Sequence, residues 1–187
     1  MNKVNAANSI KNPFQEIEKK MGSFNRKEVS FKISFMKIKD IPKEIINELL
    51  ELIESNVGNY FKSSKLGWNE RKKMRDLKSK NACYLIIKDE DLLAGFSMFK
   101  FEMDFDRAVL YCYELQIKEE YQGKGLGRHL MRCMEELAKI HDMECIVLTA
   151  LANNEEAMRF YENCGFILDK TDPQVKDYKI LSKATTK

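Results

Sequence analysis

Residues 122–128 read Gln-Gly-Lys-Gly-Leu-Gly-Arg, a glycine-rich turn between a predicted strand and a predicted helix. Glycines at such a turn let the backbone approach a ligand closely, and successive backbone N–H groups at a helix start can bind phosphate oxygens. The same residues are equally consistent with a tight turn that only begins a helix. The turn alone therefore leaves both interpretations open.

The spacing of the turn excludes two common phosphate-binding loops. A Walker A loop needs four residues between its first glycine and Gly-Lys-Ser/Thr, and the turn lacks that spacing. A dinucleotide-binding fingerprint needs a glycine or another small residue at the position of Arg128. The turn therefore belongs to neither class of nucleotide site.

Hydrophobic periodicity on both sides of the turn predicts an α+β domain. Residues 29–35 alternate apolar and polar side chains like a half-buried strand, and residues 42–53 carry apolar side chains at helical spacing. We expect a central mixed, mostly antiparallel sheet flanked by helices. The remaining predicted elements are a short basic helix over 68–80, strands over 82–88, 92–104 and 108–117, a helix over 126–137, a strand over 145–151, a helix over 154–163, and closing strands over 166–169 and 178–182.

The length of 187 residues fits one domain of about 150 residues plus an appendage. Residues 1–28 are predicted to be an N-terminal arm that docks on the core or frays, and residues 29–187 a single domain. Hydrophobic residues make up 44% and charged residues 33%, as in globular proteins. No apolar run approaches the ~18 residues of a membrane span, and no secretory signal is seen. We expect a soluble protein of the cytoplasm and nucleus.

Charge is distributed unevenly along the chain. Residues 65–80 carry seven basic and two acidic residues, whereas residues 88–120 carry nine acidic and four basic ones. Such segregation suits a polyanion at one face and a cation at the other, although each segment alone is also consistent with a solvated face. No basic run is interleaved with aromatic residues, which argues against nucleic acid as the main ligand. The five cysteines include no CxxC pair, which argues against a disulfide framework or a zinc site.

A second motif favours the ligand-binding interpretation of the turn. Asn154-x-x-Ala157 and Tyr161-x-x-x-Gly165-Phe166 follow Gln122-x-x-Gly125-x-Gly127 in the next β-α-β segment. Together these motifs resemble those of the GCN5-related N-acetyltransferases, over residues 29–183. The resemblance implies the fold of that family, acetyl-CoA as cofactor and no metal. It also implies that the amides of the turn hold the pyrophosphate of acetyl-CoA.

Further segments resemble the N-terminal acetyltransferase D family, which acetylates the α-amine of histone tails that begin Ser-Gly-Arg-Gly. The similar segments are Val4-x-Ala6-Ala7-Asn8, Gly67-Trp68, Tyr84-Leu85-Ile86, Val109-Leu110-Tyr111-Cys112-Tyr113-Glu114, Leu148-Thr149 and Tyr178-x-Ile180-Leu181. The resemblance covers nearly the whole chain and implies histone N-terminal tails as substrate. We expect an enzyme that requires no direct contact with nucleic acid or membrane and acts without an auxiliary subunit.

The resemblance also implies site residues. Glu114 is the expected catalytic carboxylate; Tyr161 matches a tyrosine near the leaving thiolate, although it equally fits a helix aromatic packed on the sheet. The expected cofactor contacts are Leu115, Gln116, Ile117, Gly123, Lys124, Gly125, Leu126, Gly127, Arg128 and Asn154. The expected peptide contacts are Phe61, Tyr111, Tyr113, Thr149, Thr171 and Tyr178, together with Glu102 and Asp104 as the acidic pair for the substrate arginine. Two residues depart from the family, Phe61 in place of a tyrosine and Leu66 in place of a tryptophan, which alters the aromatic wall around the first substrate residues.

The chemistry of the strand residues supports these roles independently. Leu110, Cys112, Glu114 and Gln116 are expected on one strand face, where burial makes a carboxylate a stronger base. Glu102 and Asp104 share a face of the preceding strand, and their like charges imply a cation between them. A structural ion pair for Glu114 and a solvated edge for the acidic pair are the alternatives.

We therefore predict direct acetyl transfer with Glu114 as the base, acting directly or through a water. Backbone N–H groups of the strand are expected to hold the developing oxyanion. Two other functions remain open. One is an acetyltransferase for lysine side chains or small amines such as polyamines, and the other is a module that binds CoA without catalysis.

Overall fold

The computed structural model describes residues 3–26 and 29–185. Its strands are β1 (Ser23–Arg26), β2 (Val29–Lys37), β3 (Cys83–Asp89), β4 (Leu92–Asp104), β5 (Arg107–Ile117), β6 (Cys145–Leu151), β7 (Ile167–Leu168) and β8 (Tyr178–Ala184). Its α-helices are α1 (Lys3–Ser9), α2 (Gln15–Met21), α3 (Lys43–Lys62), α4 (Glu70–Leu77), α5 (Leu126–Ile140) and α6 (Glu155–Asn163). The strands form one sheet in the order β1-β2-β3-β4-β5-β6-β8-β7.

The sheet is mixed and mostly antiparallel, since β5 and β6 form its parallel pair and the other neighbouring strands run antiparallel. A parallel pair needs a crossover connection, and α5 supplies it. The predicted α+β fold class is thus confirmed, with the elements from residue 29 onward in the predicted order. The basic helix is shorter than predicted, because the Asn69 side chain caps α4 by accepting from the Lys72 N–H at 2.9 Å.

A β-bulge at Tyr113 interrupts the regular alternation of β5. Cys112 pairs with Phe99 of β4, but Glu114 pairs with the adjacent Met98, so Tyr113 is an extra residue on β5. An extra residue of this kind shifts every later side chain to the other face of the sheet.

The bulge overturns the expected arrangement of four β5 side chains. Leu110 and Cys112 lie in the core cluster that also contains residues of α5. Glu114 and Gln116 lie on the opposite face, which packs against α3 and α4. The prediction that all four share one face is wrong, because it assumed an alternation that stops at the bulge.

The strands β5 and β6 diverge beyond a short paired segment. They pair only from Val109 with Cys145 to Cys112 with Leu148, although both strands continue further. In the described part of the chain, the edge of β5 after Cys112 therefore has no strand partner on the β6 side. A slot opens between the two strands directly after the bulge.

The N-terminal segment before β2 packs on the α5 face of the sheet. Val4, Ala7, Phe14 and Ile17 are buried in the same core cluster as α5. The His141 ring also bonds to the Pro13 carbonyl at 3.0 Å. Residues 27 and 28, where the predicted arm ends, lie outside the described residues, as do residues 1, 2, 186 and 187. Among residues 3–26 and 29–185, no helix combines the length and apolar character that crossing a bilayer requires.

Candidate active site

A cavity of about 720 Å³ lies where β5 and β6 diverge, a volume typical of small-molecule sites. The predicted site residues that line it are Phe61, Tyr113, Glu114, Leu115, Gln116, Ile117, Gly123, Gly125, Leu126, Gly127, Arg128, Thr149, Asn154 and Tyr161. The predicted residues outside its lining are Glu102, Asp104, Tyr111, Lys124, Thr171 and Tyr178. The glycine turn and the proposed base therefore share one cavity.

The glycine turn has a backbone that only glycine adopts easily. Gly123 has φ +68° and Gly125 has φ +92°, both in the left-handed region. Gly125 is also the N-cap of α5, so the free N–H groups of the first helical turn begin here. Lys124 lies outside the cavity lining, with its Nζ 4.9 Å from the centroid of the Tyr121 ring. The turn therefore fits a phosphate group.

The cofactor residues on β5 and α6 have distinct local roles. The Ile117 carbonyl accepts from Asn56 Nδ2 and from Gln122 Nε2, both at 3.0 Å. Asn154 caps α6, because its side chain accepts from the Ala157 N–H at 3.1 Å. These bonds fix the backbone on both sides of the slot.

Glu114 is a buried carboxylate that already has two partners. It is 9% exposed, and Lys73 Nζ donates to its Oε1 at 2.6 Å. Gln116 Nε2 donates to its Oε2 at 2.9 Å. Glu114 thus belongs to an ion pair and also lines the cavity, so the two interpretations of this residue are compatible.

Lys73 is a site residue that sequence analysis did not single out. Its ammonium lies against Glu114 and 4.6 Å from the centroid of the Phe61 ring, and its side chain lines the cavity. The basic segment 65–80 contains it, but nothing in that segment distinguishes the lysine that faces the sheet.

Tyr161 packs in the core and also lines the cavity. Burial raises the pKa of Tyr161 well above its ordinary value, and the nearby Cys112 and Glu114 raise this pKa further. The phenol therefore stays protonated at neutral pH. A protonated phenol can donate a hydrogen bond or a proton into the cavity.

A chain of side chains leads from the cavity to the acidic part of β4. Tyr113 Oη donates to Glu102 Oε1 at 2.8 Å. Tyr111 packs beside Tyr113, and its hydroxyl shares a 2.7 Å hydrogen bond with Thr149 Oγ1. Burial raises the pKa of Glu102, although the bond from Tyr113 and the charge of Lys100 act in the opposite direction.

Asp104 differs from Glu102 because it has an internal cation. Arg107 Nη2 lies 2.6 Å from Asp104 Oδ2, and the same guanidinium makes bonds of 2.9 and 3.0 Å to Asp169. Thr171 donates to Asp169 through its N–H at 2.8 Å and its hydroxyl at 2.7 Å. The sequence implied one cation between Glu102 and Asp104, whereas the structure places Arg107 at Asp104 alone. Glu102 keeps no such partner among the ion pairs of the described residues.

Tyr178 begins β8 and pairs with Leu151, which lines the cavity. Its half-buried position places it beside the cavity rather than in its wall. The structure therefore brings the expected cofactor residues other than Lys124 to one cavity. The expected peptide residues divide into three sets: those in its lining (Phe61, Tyr113 and Thr149), those that contact the lining (Glu102, Tyr111 and Tyr178) and those around Arg107 and Asp169 (Asp104 and Thr171).

Comparison with known proteins agrees with this geometry. The model of the acetyltransferase (GNAT) family matches residues 48–166, well over half of the chain. A spermine/spermidine N(1)-acetyltransferase of Bacillus subtilis is 28% identical over 119 residues, which cover 61% of this chain and 75% of that protein. N-alpha-acetyltransferase 40 of Saccharomyces cerevisiae is 24% identical over 147 residues, which cover 66% of this chain and 52% of that protein.

A solved structure shows the same fold. The PaiA N-acetyltransferase of Thermoplasma acidophilum, in complex with coenzyme A, superposes with a TM-score of 0.61 at 19% identity and covers 82% of this chain and 98% of that one. At this identity the likeness shows the fold alone. The chain belongs to the GNAT family of acetyltransferases, and its cofactor is acetyl-CoA.

Proposed function

We propose that the protein is an Nα-acetyltransferase of the cytoplasm and nucleus that modifies the serine α-amine of histone tails beginning Ser-Gly-Arg-Gly. One observation carries the proposal, the link from Glu114 through its neighbour Tyr113 to Glu102 at 2.8 Å. Glu102 lies four β4 residues beyond Met98, the partner of Glu114, so on the order of 13 Å of strand separates this second carboxylate from the proposed base. A substrate with an amine and a nearby cation matches both acidic groups.

The spacing of a peptide supports an arginine at the third position. In an extended chain the third residue lies about 7 Å from the first. With the α-amine at Glu114, the extended side chain of that arginine would cover the remaining distance to Glu102. Charge-assisted hydrogen bonds of this kind are strong. Asp104 contributes through Arg107 rather than by direct contact, because that guanidinium already occupies it.

The cofactor would be held by the turn and by the open edge of β5. The N–H groups of residues 123–128 are available to phosphate oxygens, and the backbone of residues 115–117 lies along the slot. When bound, acetyl-CoA supplies the acetyl group as an activated thioester. The residues of this chain bind it, orient it and move protons beside it.

Glu114 accepts the proton of the substrate α-ammonium. An α-amine has a pKa of about 8, whereas a lysine side chain has one of about 10.4, so a weak base suffices to deprotonate the α-ammonium. The ammonium of Lys73 holds this carboxylate in position through a contact of 2.6 Å. Tyr161 remains protonated and is the candidate donor towards the departing sulfur.

A second candidate function is the acetylation of a polyamine. It is favoured by the 28% identity to the Bacillus subtilis spermine/spermidine enzyme and by Glu102, which could also receive a second ammonium. A polyamine lacks the peptide backbone that would fix the distance between its amine and its cation. The two functions therefore differ in whether the rate depends on a fixed distance between the reacting amine and the second cation of the substrate.

One assay separates the candidates. The purified protein is incubated with acetyl-CoA and a Ser-Gly-Arg-Gly peptide, the same peptide blocked at its α-amine but carrying lysines, or spermidine. Thiol release measures the rate, and mass spectrometry locates the acetyl group. We expect acetylation of the serine α-amine and little reaction with the other two substrates. Preferred reaction with spermidine or with lysine would contradict the proposal, and CoA binding without thiol release would indicate a non-catalytic module.

A further inference from the structure

We infer that Arg26, from the N-terminal segment, is a positioning residue of the cofactor site that orients the glycine turn. The inference rests on the proposed role of that turn as the pyrophosphate loop. It extends the site to a strand that precedes residue 48, where the family match begins. The consequence is that the N-terminal segment contributes to cofactor affinity.

The strand β1 contacts the turn at both of its left-handed glycines. Arg26 Nη1 donates to the Gly123 carbonyl at 3.0 Å, across 97 residues of sequence. A Cβ at Gly125 would lie 3.4 Å from Phe24 Cζ and 3.8 Å from Arg26 Nη1. Phe24 and Arg26 of β1 therefore both support the turn from the side of the N-terminal segment.

The contact at Gly123 fixes the direction of a backbone N–H group. A trans peptide is planar, so the Gly123 carbonyl and the Lys124 N–H of the same peptide point in opposite directions. Because Arg26 holds the carbonyl, the N–H is held pointing away from β1. Gly123 and Gly125 line the cavity, so a fixed peptide between them presents its donor in a defined orientation.

Such fixation matters because the turn is rich in glycine. Glycine has more backbone freedom to lose than any other residue, and a ligand that orders a loop must offset that entropy. A hydrogen bond that orders the turn in advance reduces this cost. The effect applies to any ligand that carries the pyrophosphate.

β1 is itself held firmly enough to act as a support. It pairs antiparallel with β2, with Phe24 opposite Phe31 and Arg26 opposite Val29. The Phe24 ring lies 4.8 Å from the His129 ring, centroid to centroid. His129 Nε2 donates to the Met21 carbonyl at 3.2 Å, which links α5 to the end of α2.

Calorimetry without acetyl transfer tests the inference. Coenzyme A and 3′-dephospho-coenzyme A are titrated into the wild type, Arg26→Gln, Arg26→Lys and Arg159→Gln. Arg159 is a matched control, because it is an exposed arginine on α6 whose ion pair with Glu155 is 4.0 Å long. We expect Arg26→Gln to weaken both ligands equally, by about three- to tenfold, with a smaller loss in Arg26→Lys and none in Arg159→Gln. Amide exchange of residues 123–126 in the ligand-free protein should be faster in Arg26→Gln, with an unchanged unfolding temperature.

Three results would overturn the inference. The first is unchanged affinity in Arg26→Gln, and the second is an equal loss in Arg159→Gln, which would indicate a simple charge effect. The third is a larger loss for coenzyme A than for its dephospho form, which would indicate direct contact with the 3′-phosphate.

A Gly125→Val variant tests the turn itself. If that variant loses affinity while Arg26→Gln does not, only the role of Arg26 fails; if it keeps full affinity, the proposed pyrophosphate loop fails.

Discussion

Lys73 Nζ lies 2.6 Å from Glu114 Oε1, so the proposed base is one half of an ion pair with side chains only 19% and 9% exposed. Removing one partner of a buried pair leaves an uncompensated charge, which is far more costly than breaking an exposed pair. α4 therefore supplies the ion-pair partner of the proposed base although it lies outside the strands that form the slot.

A Lys73→Met variant should be less stable by about 3 kcal/mol, because Glu114 loses its buried partner. Turnover should fall as well, since an unpaired buried carboxylate favours its protonated form, which cannot accept a proton. Urea unfolding and steady-state rates measure the two effects. Lys73→Arg keeps the charge and serves as the control. Wild-type stability and turnover in Lys73→Met would contradict this prediction.

A Glu114→Gln variant should lose rate without losing cofactor affinity. The amide keeps the shape of the side chain but cannot accept the substrate proton, and positioned acid–base groups contribute about 10²–10⁴-fold. Stopped-flow or steady-state turnover gives the rate, and calorimetry gives the affinity for acetyl-CoA. Near-normal turnover with a normal pH profile would contradict the assignment of Glu114 as the base.

Glu102→Gln and Asp104→Asn should have different consequences. Glu102→Gln should reduce catalytic efficiency by about tenfold for a Ser-Gly-Arg-Gly peptide and leave a peptide without that arginine unaffected. The wild type should prefer the arginine peptide only while Glu102 is ionised. Because the pKa of Glu102 is raised, this preference should fade as the pH falls below that pKa. Kinetics with both peptides over a pH series measure these effects. Equal losses for both peptides would count against Glu102 as the arginine site.

Asp104→Asn serves as the contrasting variant, since Asp104 binds Arg107. We expect it to lower the unfolding temperature and to affect both peptides alike. A selective loss of the arginine peptide in this variant would show that Asp104 contacts the substrate directly.

A Gly125→Val variant should abolish acetyl-CoA binding while the protein still folds. A branched side chain disfavours φ +92° and would also meet Phe24. Gly165→Val is a matched control, because Gly165 also has a positive φ, +86°, and lies outside the cavity lining. Both variants should lose stability, but calorimetry should show lost affinity only for Gly125→Val. Comparable affinity in the two variants would remove the turn from the cofactor site.

Asp169→Asn should show how stability depends on pH. Burial alone would raise the pKa of Asp169, but hydrogen bonds from Arg107, Ser182 and Thr171 outweigh it and hold the pKa well below its ordinary value. The carboxylate therefore stabilises the fold above its unfolded-state pKa, and this contribution is lost as the pH falls through the folded-state pKa. We expect the variant to have a free energy of unfolding about 3 kcal/mol lower than the wild type at neutral pH. This difference should become smaller as the pH falls below 3.8, the ordinary pKa of an aspartate. Urea unfolding of both proteins between pH 7 and the lowest pH at which they fold tests this; a constant difference would contradict it.

β3 and β6 are buried on both faces and were predicted as apolar runs. Periodicity predicted β2 and α3, because each buries one side of a regular pattern. It could not predict the bulge at Tyr113, since an extra residue in a strand has no signature in the alternation of polarity. It also could not identify the contact of Lys73 with Glu114, 41 residues away, or that of Arg107 with Asp169, 62 residues away. Local sequence predicts which elements form, whereas these contacts depend on how the elements pack.

The short pairing between β5 and β6 divides the sheet into two unequal parts. Four residue pairs join β1–β5 to β6–β8, and the slot replaces the rest of the ladder. A ligand that bonds to the open edges of both β5 and β6 would bridge the two parts like a short additional strand. Binding of the cofactor in the proposed slot would then also be a mechanical event, because the two parts of the sheet would resist separation together.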